Sequence, residues 1–155
     1  PVGKKRTKKF RAIFKLPYRP GTLKAVALDK SGNALGETTL QTAGQKTRLH
    51  LAPEKTNLRA DGQSLCFIPI TLTDAAGIWK PCANAKVHLE IEGPAALQAL
   101  GNAATQTDET YLGSSHTTWL GRALAVIRAG TEPGKVRVTV TAEGYEPQYV
   151  DLAVE

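Results

Sequence analysis

The chain has 155 residues, with 20 Lys and Arg against 14 Asp and Glu, a formal net charge of +6, nine prolines, 14 glycines and no methionine. Its hydrophobic share of 41% is enough for a packed core, no run approaches the ~20 apolar residues of a membrane span, and no signal peptide is visible. The charge is lopsided: residues 1–24 carry nine bases and no acid, and the remainder carries eleven bases against fourteen acids, net −3.

Lys8 to Leu16 alternates, with Phe10, Ala12, Phe14 and Leu16 on one face and Lys9, Arg11 and Lys15 on the other. That period predicts a half-buried strand with Phe10 and Phe14 in the core. Tyr18-Arg19-Pro20-Gly21 predicts a turn, Thr22 to Leu28 a second strand, Asp29 to Asn33 another turn, and Leu35 to Thr42 a third strand. The bases of this region lie on the polar side of the alternation, where Lys discourages edge pairing. Exposed aromatic residues do not interleave with them, as a stacking platform for nucleic acid requires. Neither a nucleic-acid nor a membrane partner is expected.

Three strands cannot close a sandwich, which needs about seven over roughly 100 residues. Residues 1–44 are therefore expected to be the C-terminal part of an immunoglobulin-like domain whose N-terminal strands are missing, ending at the polar linker Thr42-Ala43-Gly44-Gln45.

Residues 45–155 read as a complete domain. Strands are predicted over Thr47 to Ala52, Leu65 to Thr73, Lys86 to Ile91, Thr118 to Ala129, Lys135 to Ala142 and Gln148 to Val154. Cys66, Ile68, Ile70 and Leu72 should face inward, as should Val87, Leu89 and Ile91. Pro69 cannot donate to a ladder, so its strand should be at an edge there or carry a bulge. Gly93 to Ser115 reads as loop, with Ala95 to Leu100 offering at most a turn or two of helix. The fold class is thus all-β: an immunoglobulin-like β-sandwich preceded by a partial, truncated second β-sandwich domain.

Chemistry-bearing patterns are sparse. His50, His88 and His116 are isolated, without the Cys or His spacings of a zinc site, so no metal and no cofactor is expected. Ser114-Ser115-His116 is not a nucleophile elbow, and the scattered glycines make no phosphate loop. Glu90 and Glu92 share one face of a predicted strand at roughly 7 Å, a separation compatible with an acid pair. They lie opposite Val87, Leu89 and Ile91, however, on what should be the wet face. The two cysteines permit one disulfide or two free thiols. Free thiols are favoured, because about 110 residues build a sufficient core unaided and Cys66 suits an apolar face.

The order of several short motifs resembles the C-terminal immunoglobulin-like domains of bacterial family-two glycoside hydrolases of the β-galactosidase type. The first is Leu16-Pro-Tyr-Arg-Pro-Gly-Thr-Leu-Lys-Ala-Val-Ala27 followed by Thr42-Ala43-Gly44. The others are Arg59-Ala60-Asp61-Gly62, Thr73-Asp74-Ala75-Ala76-Gly77, Leu100-Gly101-Asn102, the run Gly121 to Arg128, and Ala142-Glu143-Gly144. One departure is Gly101-Asn102-Ala103, where relatives often carry Gly-Asn-Gly. The resemblance implies that the catalytic glutamates belong to an upstream barrel, and that this chain holds no catalytic residue. It implies a non-catalytic accessory region bracing the upstream domains of the same polypeptide, with self-association through exposed edge strands a further prospect. It favours a periplasmic or extracellular location, although the sequence itself leaves localisation open.

The alternative is a carbohydrate-binding module. Its candidate residues are Trp79, Tyr111 and Trp119, whose rings suit the apolar faces of sugars, with Asp108, Glu109 or His116 as hydrogen-bonding neighbours. Trp119 precedes a buried-looking strand and reads as core. Trp79 is the better surface residue, yet it could equally cap the sandwich end or pack on a neighbouring domain. An adhesion-type tandem would need further repeats or a surface anchor, and neither is visible.

Overall fold

The computed structural model describes residues 2–155; Pro1, the first residue of the expected first domain, lies outside the described residues. The chain divides after Thr42 into two compact units. No residue among those described is helical.

The first unit is built on a hairpin of β1 (Thr22–Leu28) and β2 (Ala34–Gln41), antiparallel, with Leu23 opposite Leu40 and Ala25 opposite Thr38. Its turn is closed by the Asp29 carboxylate, which accepts the Asn33 backbone N–H at 2.8 Å and the Asn33 side-chain amide at 3.0 Å. Gly32 supplies the left-handed residue there, at φ 92°. At the open end the Thr42 hydroxyl accepts the Gly21 N–H at 3.1 Å. Both strands are exposed along their whole length.

The strand expected over Lys8 to Leu16 is not formed. Lys8 and Arg11 exchange backbone hydrogen bonds of 2.9 and 3.1 Å across a tight turn whose central residues, Lys9 and Phe10, have φ of 50° and 63°. The chain reverses where the alternation predicts extension, and Phe10 and Phe14 are exposed rather than core. An alternating segment becomes a strand only when a ladder and a face to bury are beside it. Among the described residues no strand pairs with this segment.

The second unit contains β3 (Arg48–Leu51), β4 (Asn57–Leu58), β5 (Leu65–Thr73), β6 (Lys86–Glu92), β7 (Ala95–Gly101), β8 (Ser115–Thr117), β9 (Arg122–Ala129), β10 (Gly134–Ala142) and β11 (Gln148–Val154). One sheet has the order β3-β5-β9-β7 and the other β4-β11-β10-β6-β8. The first is the A-B-E-D sheet of an immunoglobulin sandwich, and β6-β10-β11 is its C-F-G sheet. All pairings are antiparallel except β4 with β11, where Asn57 and Leu58 run parallel to Ala153 and Val154.

The core lies between the sheets. Cys66, Ile68, Ile70 and Leu72 of β5 are fully buried, as are Val87 of β6, Ile127 of β9 and Val138 and Val140 of β10. Neighbouring strands alternate large and small residues, with Ile68 beside Ala125 and Ile70 beside Ala123. Such pairing fills a layer without overpacking it.

Two sequence expectations are corrected here. Ala95 to Leu100 forms β7 rather than a loop or a helical turn. A bulge between Leu97 and Ala99 puts Leu97 and the buried Leu100 on the same side three residues apart, which mimics helical spacing. The single strand expected over Thr118 to Ala129 is shortened to β9, because a turn at Trp119–Arg122 separates it from β8. Finally, β5 as a whole is an interior strand, and at Pro69 it has the open side expected there. The β3 ladder covers only Ile70 to Thr73, so the missing donor falls where β3 has run out, and there the Ala52 N–H donates to the Pro69 carbonyl at 3.2 Å.

Candidate functional site

The strand registers gather three loops at one end of the sandwich. The segment after β5, the segment between β7 and β8, and the turn between β8 and β9 all leave the sheets there, since Thr71 pairs with Arg122, Gly101 with Leu124 and Lys86 with Thr117. These loops carry three of the four sequence-predicted binding residues, Trp79, Tyr111 and Trp119, and the fourth, His116, lies in β8 beside them.

The first loop is shaped by Asp74. Its carboxylate accepts three backbone N–H groups, from Gly44 at 2.6 Å, Ile78 at 2.8 Å and Ala76 at 2.9 Å. The Gly44 bond first, then that of Ile78, holds its carboxyl below the usual carboxylate range, against the opposing effect of burial. Lys80 anchors the same stretch by donating to the Gly44 and Gln45 carbonyls at 2.9 and 2.7 Å. Gly44 itself lies in the second unit, which begins at Ala43.

Trp79 follows this loop. Its indole N–H donates to the Leu120 carbonyl at 2.9 Å, and the Arg122 guanidinium lies 3.9 Å from its ring centroid. That is a close cation–π contact, and it covers one ring face. The turn that presents Leu120 and Arg122 is a two-residue reversal in which Trp119 and Arg122 exchange backbone bonds of 2.8 and 3.0 Å. Its central residues Leu120 and Gly121 have φ of 49° and 69°, the signature of a type I′ turn.

Tyr111 and His116 form a second pair. Their rings stack at 5.4 Å between centroids with 15° between planes. His116 is fully buried, and its Nδ1 lies 3.0 Å from the Thr117 carbonyl and 3.3 Å from Glu109 Oε2. Glu109 in turn accepts the Thr117 N–H at 2.7 Å and the Thr117 hydroxyl at 3.0 Å, and lies 3.6 Å from Lys86 Nζ. Chiefly because of the Thr117 N–H bond, its carboxyl also sits below its ordinary value. The Nε2 atom of His116 has no hydrogen-bond partner among the described residues.

Trp79, Tyr111 and Trp119 are 38%, 45% and 46% exposed, so Trp119 is not a core residue as expected. A turn of type I′ holds it at the surface, and Ala123 and Ala125 occupy the interior positions next to it. His116, read as a surface neighbour of these rings, is instead interior: it follows β8 inward beside Val87, its register partner. The structure brings Trp79 and Trp119 to one turn through Arg122 and brings Tyr111 to His116. Asp108 is exposed, with no bond to the other candidates. Glu90 and Glu92 are exposed on the outer side of β6, and His88 Nε2 lies 3.6 Å from Glu90. Arg122 and Asp74 were not singled out from sequence. Asp74 had a legible signal, since Thr-Asp-Ala-Ala-Gly is a loop in which an Asp side chain captures nearby N–H groups. The thiols of Cys66 and Cys82 are unpaired, the first buried and the second exposed.

Residues 49–151 match the family model described as glycoside hydrolase family 2 C-terminal domain 5. Residues 1–36 match a domain of unknown function (DUF4982). The β-galactosidase BoGH2A of Bacteroides ovatus is 28% identical over 142 residues, which is 92% of this chain and 17% of that protein. A solved glycosyl hydrolase family 2 member from Bacteroides cellulosilyticus is similar with a TM-score of 0.87 and 33% identity, over 90% of this chain and 18% of that one. A β-glycosidase from Bacteroides vulgatus shares the fold with a TM-score of 0.82 at 23% identity, over 90% of this chain and 18% of that one. The chain therefore spans less than a fifth of the length of these relatives.

Proposed function

The chain belongs to the glycoside hydrolase family 2 C-terminal domain 5 family, and from that premise we propose that it is a non-catalytic accessory region that braces the other domains of a β-galactosidase-type hydrolase. The observation that carries this reading is the employment of its partly buried carboxylates. Asp74 is bonded to two backbone N–H groups of its own loop and to that of Gly44 in the segment leading into β3, and Glu109 is bonded to Thr117. Glycoside hydrolysis needs two carboxylates facing one sugar across about 5–9.5 Å, and these two are engaged in holding loops. The hairpin β1–β2 supports a related proposal, that residues 1–44 belong to a second sandwich completed by further strands. A lone two-stranded hairpin is marginally stable in water, and both faces of this one are exposed.

Removing residues 43–155 from the full-length enzyme tests the bracing role. Loss of thermal stability with kcat/KM per folded molecule preserved is the expected result. Loss of kcat/KM at unchanged stability would replace bracing with a direct part in the site.

A second reading, a carbohydrate-binding module, is favoured by one observation: Trp79, Tyr111 and Trp119 are half-exposed at one end of the sandwich. Saturable binding to galactose-containing polysaccharides, lost in Trp79→Ala, would establish it. No binding across the panel would remove it.

A further inference from the structure

We propose that the outward face of the β3-β5-β9-β7 sheet docks on another domain of its own polypeptide, and that the surface it meets is apolar at its centre and edged with carboxylates. The inference rests on the bracing reading and adds to it a specific face and a specific chemistry. The two sheets of the second unit treat their outer sides differently. A sheet facing water on one side normally presents polar residues there, and β6, β10 and β11 do so, with Glu90 and Glu92 exposed and Arg137 paired with Asp151 at 2.8 Å.

The other sheet breaks the rule. Outward on β5 stand Phe67 and Pro69, and directly opposite them on β9 stand Val126 and Leu124. Phe67 and Leu124 are 38% and 39% exposed, so neither large side chain is covered within this chain. Contiguous apolar surface of this kind, rimmed by polar groups, marks an interaction site.

Charge identifies the partner. Arg122 and Arg128 bracket Leu124 and Val126 along β9. The strands β3, β5, β7 and β9 contain no Asp or Glu at all. Arg128 has no ion-pair partner among the described residues, whereas Arg137 on the opposite sheet has one. A second copy would set arginines against arginines, because a two-fold contact matches a patch with itself. A carboxylate-edged surface pairs them instead, with the bidentate geometry that guanidinium groups favour.

Hydroxyl-radical footprinting of the full-length enzyme tests this, with Tyr149 on the opposite sheet as the internal reference. Phe67 and Leu124 should be oxidised several-fold more slowly than their intrinsic reactivity predicts, with Tyr149 at its full rate. Arg128→Glu, an exposed change remote from the core, should restore the Phe67 rate. Carbodiimide coupling of an Arg128→Lys variant should link this position to an Asp or Glu of another domain. Free oxidation of Phe67 and Leu124 overturns the proposal. If Tyr149 is the protected side chain, bracing stands and only this face is wrong; if neither side is protected, bracing falls as well. Protection that disappears on dilution, or that requires added polysaccharide, replaces the proposed partner with a second copy or a glycan and overturns it.

Discussion

The Asp74 carboxylate and the Gly44 amide meet at 2.6 Å, the shortest of the three N–H bonds that close on this side chain. Thirty residues separate them in sequence, so one carboxylate both shapes the loop after β5 and fastens the segment leading into β3.

Because these bonds favour the ionised form, the folded-state pKa of Asp74 lies below its unfolded value. Its contribution to stability is fully present above the unfolded carboxylate range, about pH 4, and is lost as pH falls through the folded pKa. Asp74→Asn should lower the thermal midpoint at pH 7, since an amide NH2 replaces one acceptor oxygen. It should also flatten the acid limb of the midpoint-against-pH curve. An unchanged acid limb in thermal melts between pH 7 and pH 2 would show that other carboxylates set it.

Gly101 lies beneath the Tyr111 ring, so closely that an added Cβ would overlap the ring edge. Gly101→Ala should push Tyr111 away and cost about 1–3 kcal/mol, the usual range for overpacking. His116, stacked under that ring, should become reactive to diethylpyrocarbonate. Tyr111→Ala should give the same reactivity, and the double variant should cost less than the sum of the two, as coupled neighbours do. Denaturant unfolding of the four proteins measures the cycle, and strict additivity would separate Gly101 from Tyr111.

How much of this was legible varied with the kind of order involved. Alternation located β5, β6, β10 and β11, and for β5 and β6 also their inward faces, because a strand packed on one side only prints a period of two in sequence. It failed over Lys8 to Leu16, where period without a pairing partner gives no strand. It failed again at β7, where a bulge changes the phase. The site was half legible. Exposed aromatics could be named, but the Arg122 contact to Trp79 joins residues 43 positions apart and leaves no local pattern. Likewise, whether Trp119 is interior depends on the handedness of a two-residue turn.

That turn gives a paired prediction. Gly121 has φ 69°, and a Cβ there would lie 2.5 Å from the Lys80 carbonyl oxygen. Gly121→Ala should cost more than about 2 kcal/mol through strain and backbone collision together. Leu120→Gly, by contrast, removes a left-handed non-glycine residue from an exposed position and should be neutral to stabilising. Equal effects in urea unfolding would refute this account of the turn.

The two thiols should differ sharply in chemistry. Cys66 is fully buried, and burial first of all pushes its thiol up from its ordinary pKa. Cys82 is exposed. An aromatic disulfide reagent at pH 8 should titrate Cys82 promptly and Cys66 only after denaturation. Rapid reaction of both thiols in the native protein would mean that β5 opens readily.

The outermost strands of the second unit are short or irregular: β4 has two residues, β8 three, β3 four, and the seven residues of β7 contain a bulge. Such borders offer little template for adding a foreign strand. The hairpin of the first unit is the opposite case, with seven- and eight-residue strands each paired on one side only. Mispairing during synthesis or storage should therefore begin at β1 and β2, and a shortened chain starting at Ala43 should resist aggregation better than the 155-residue chain.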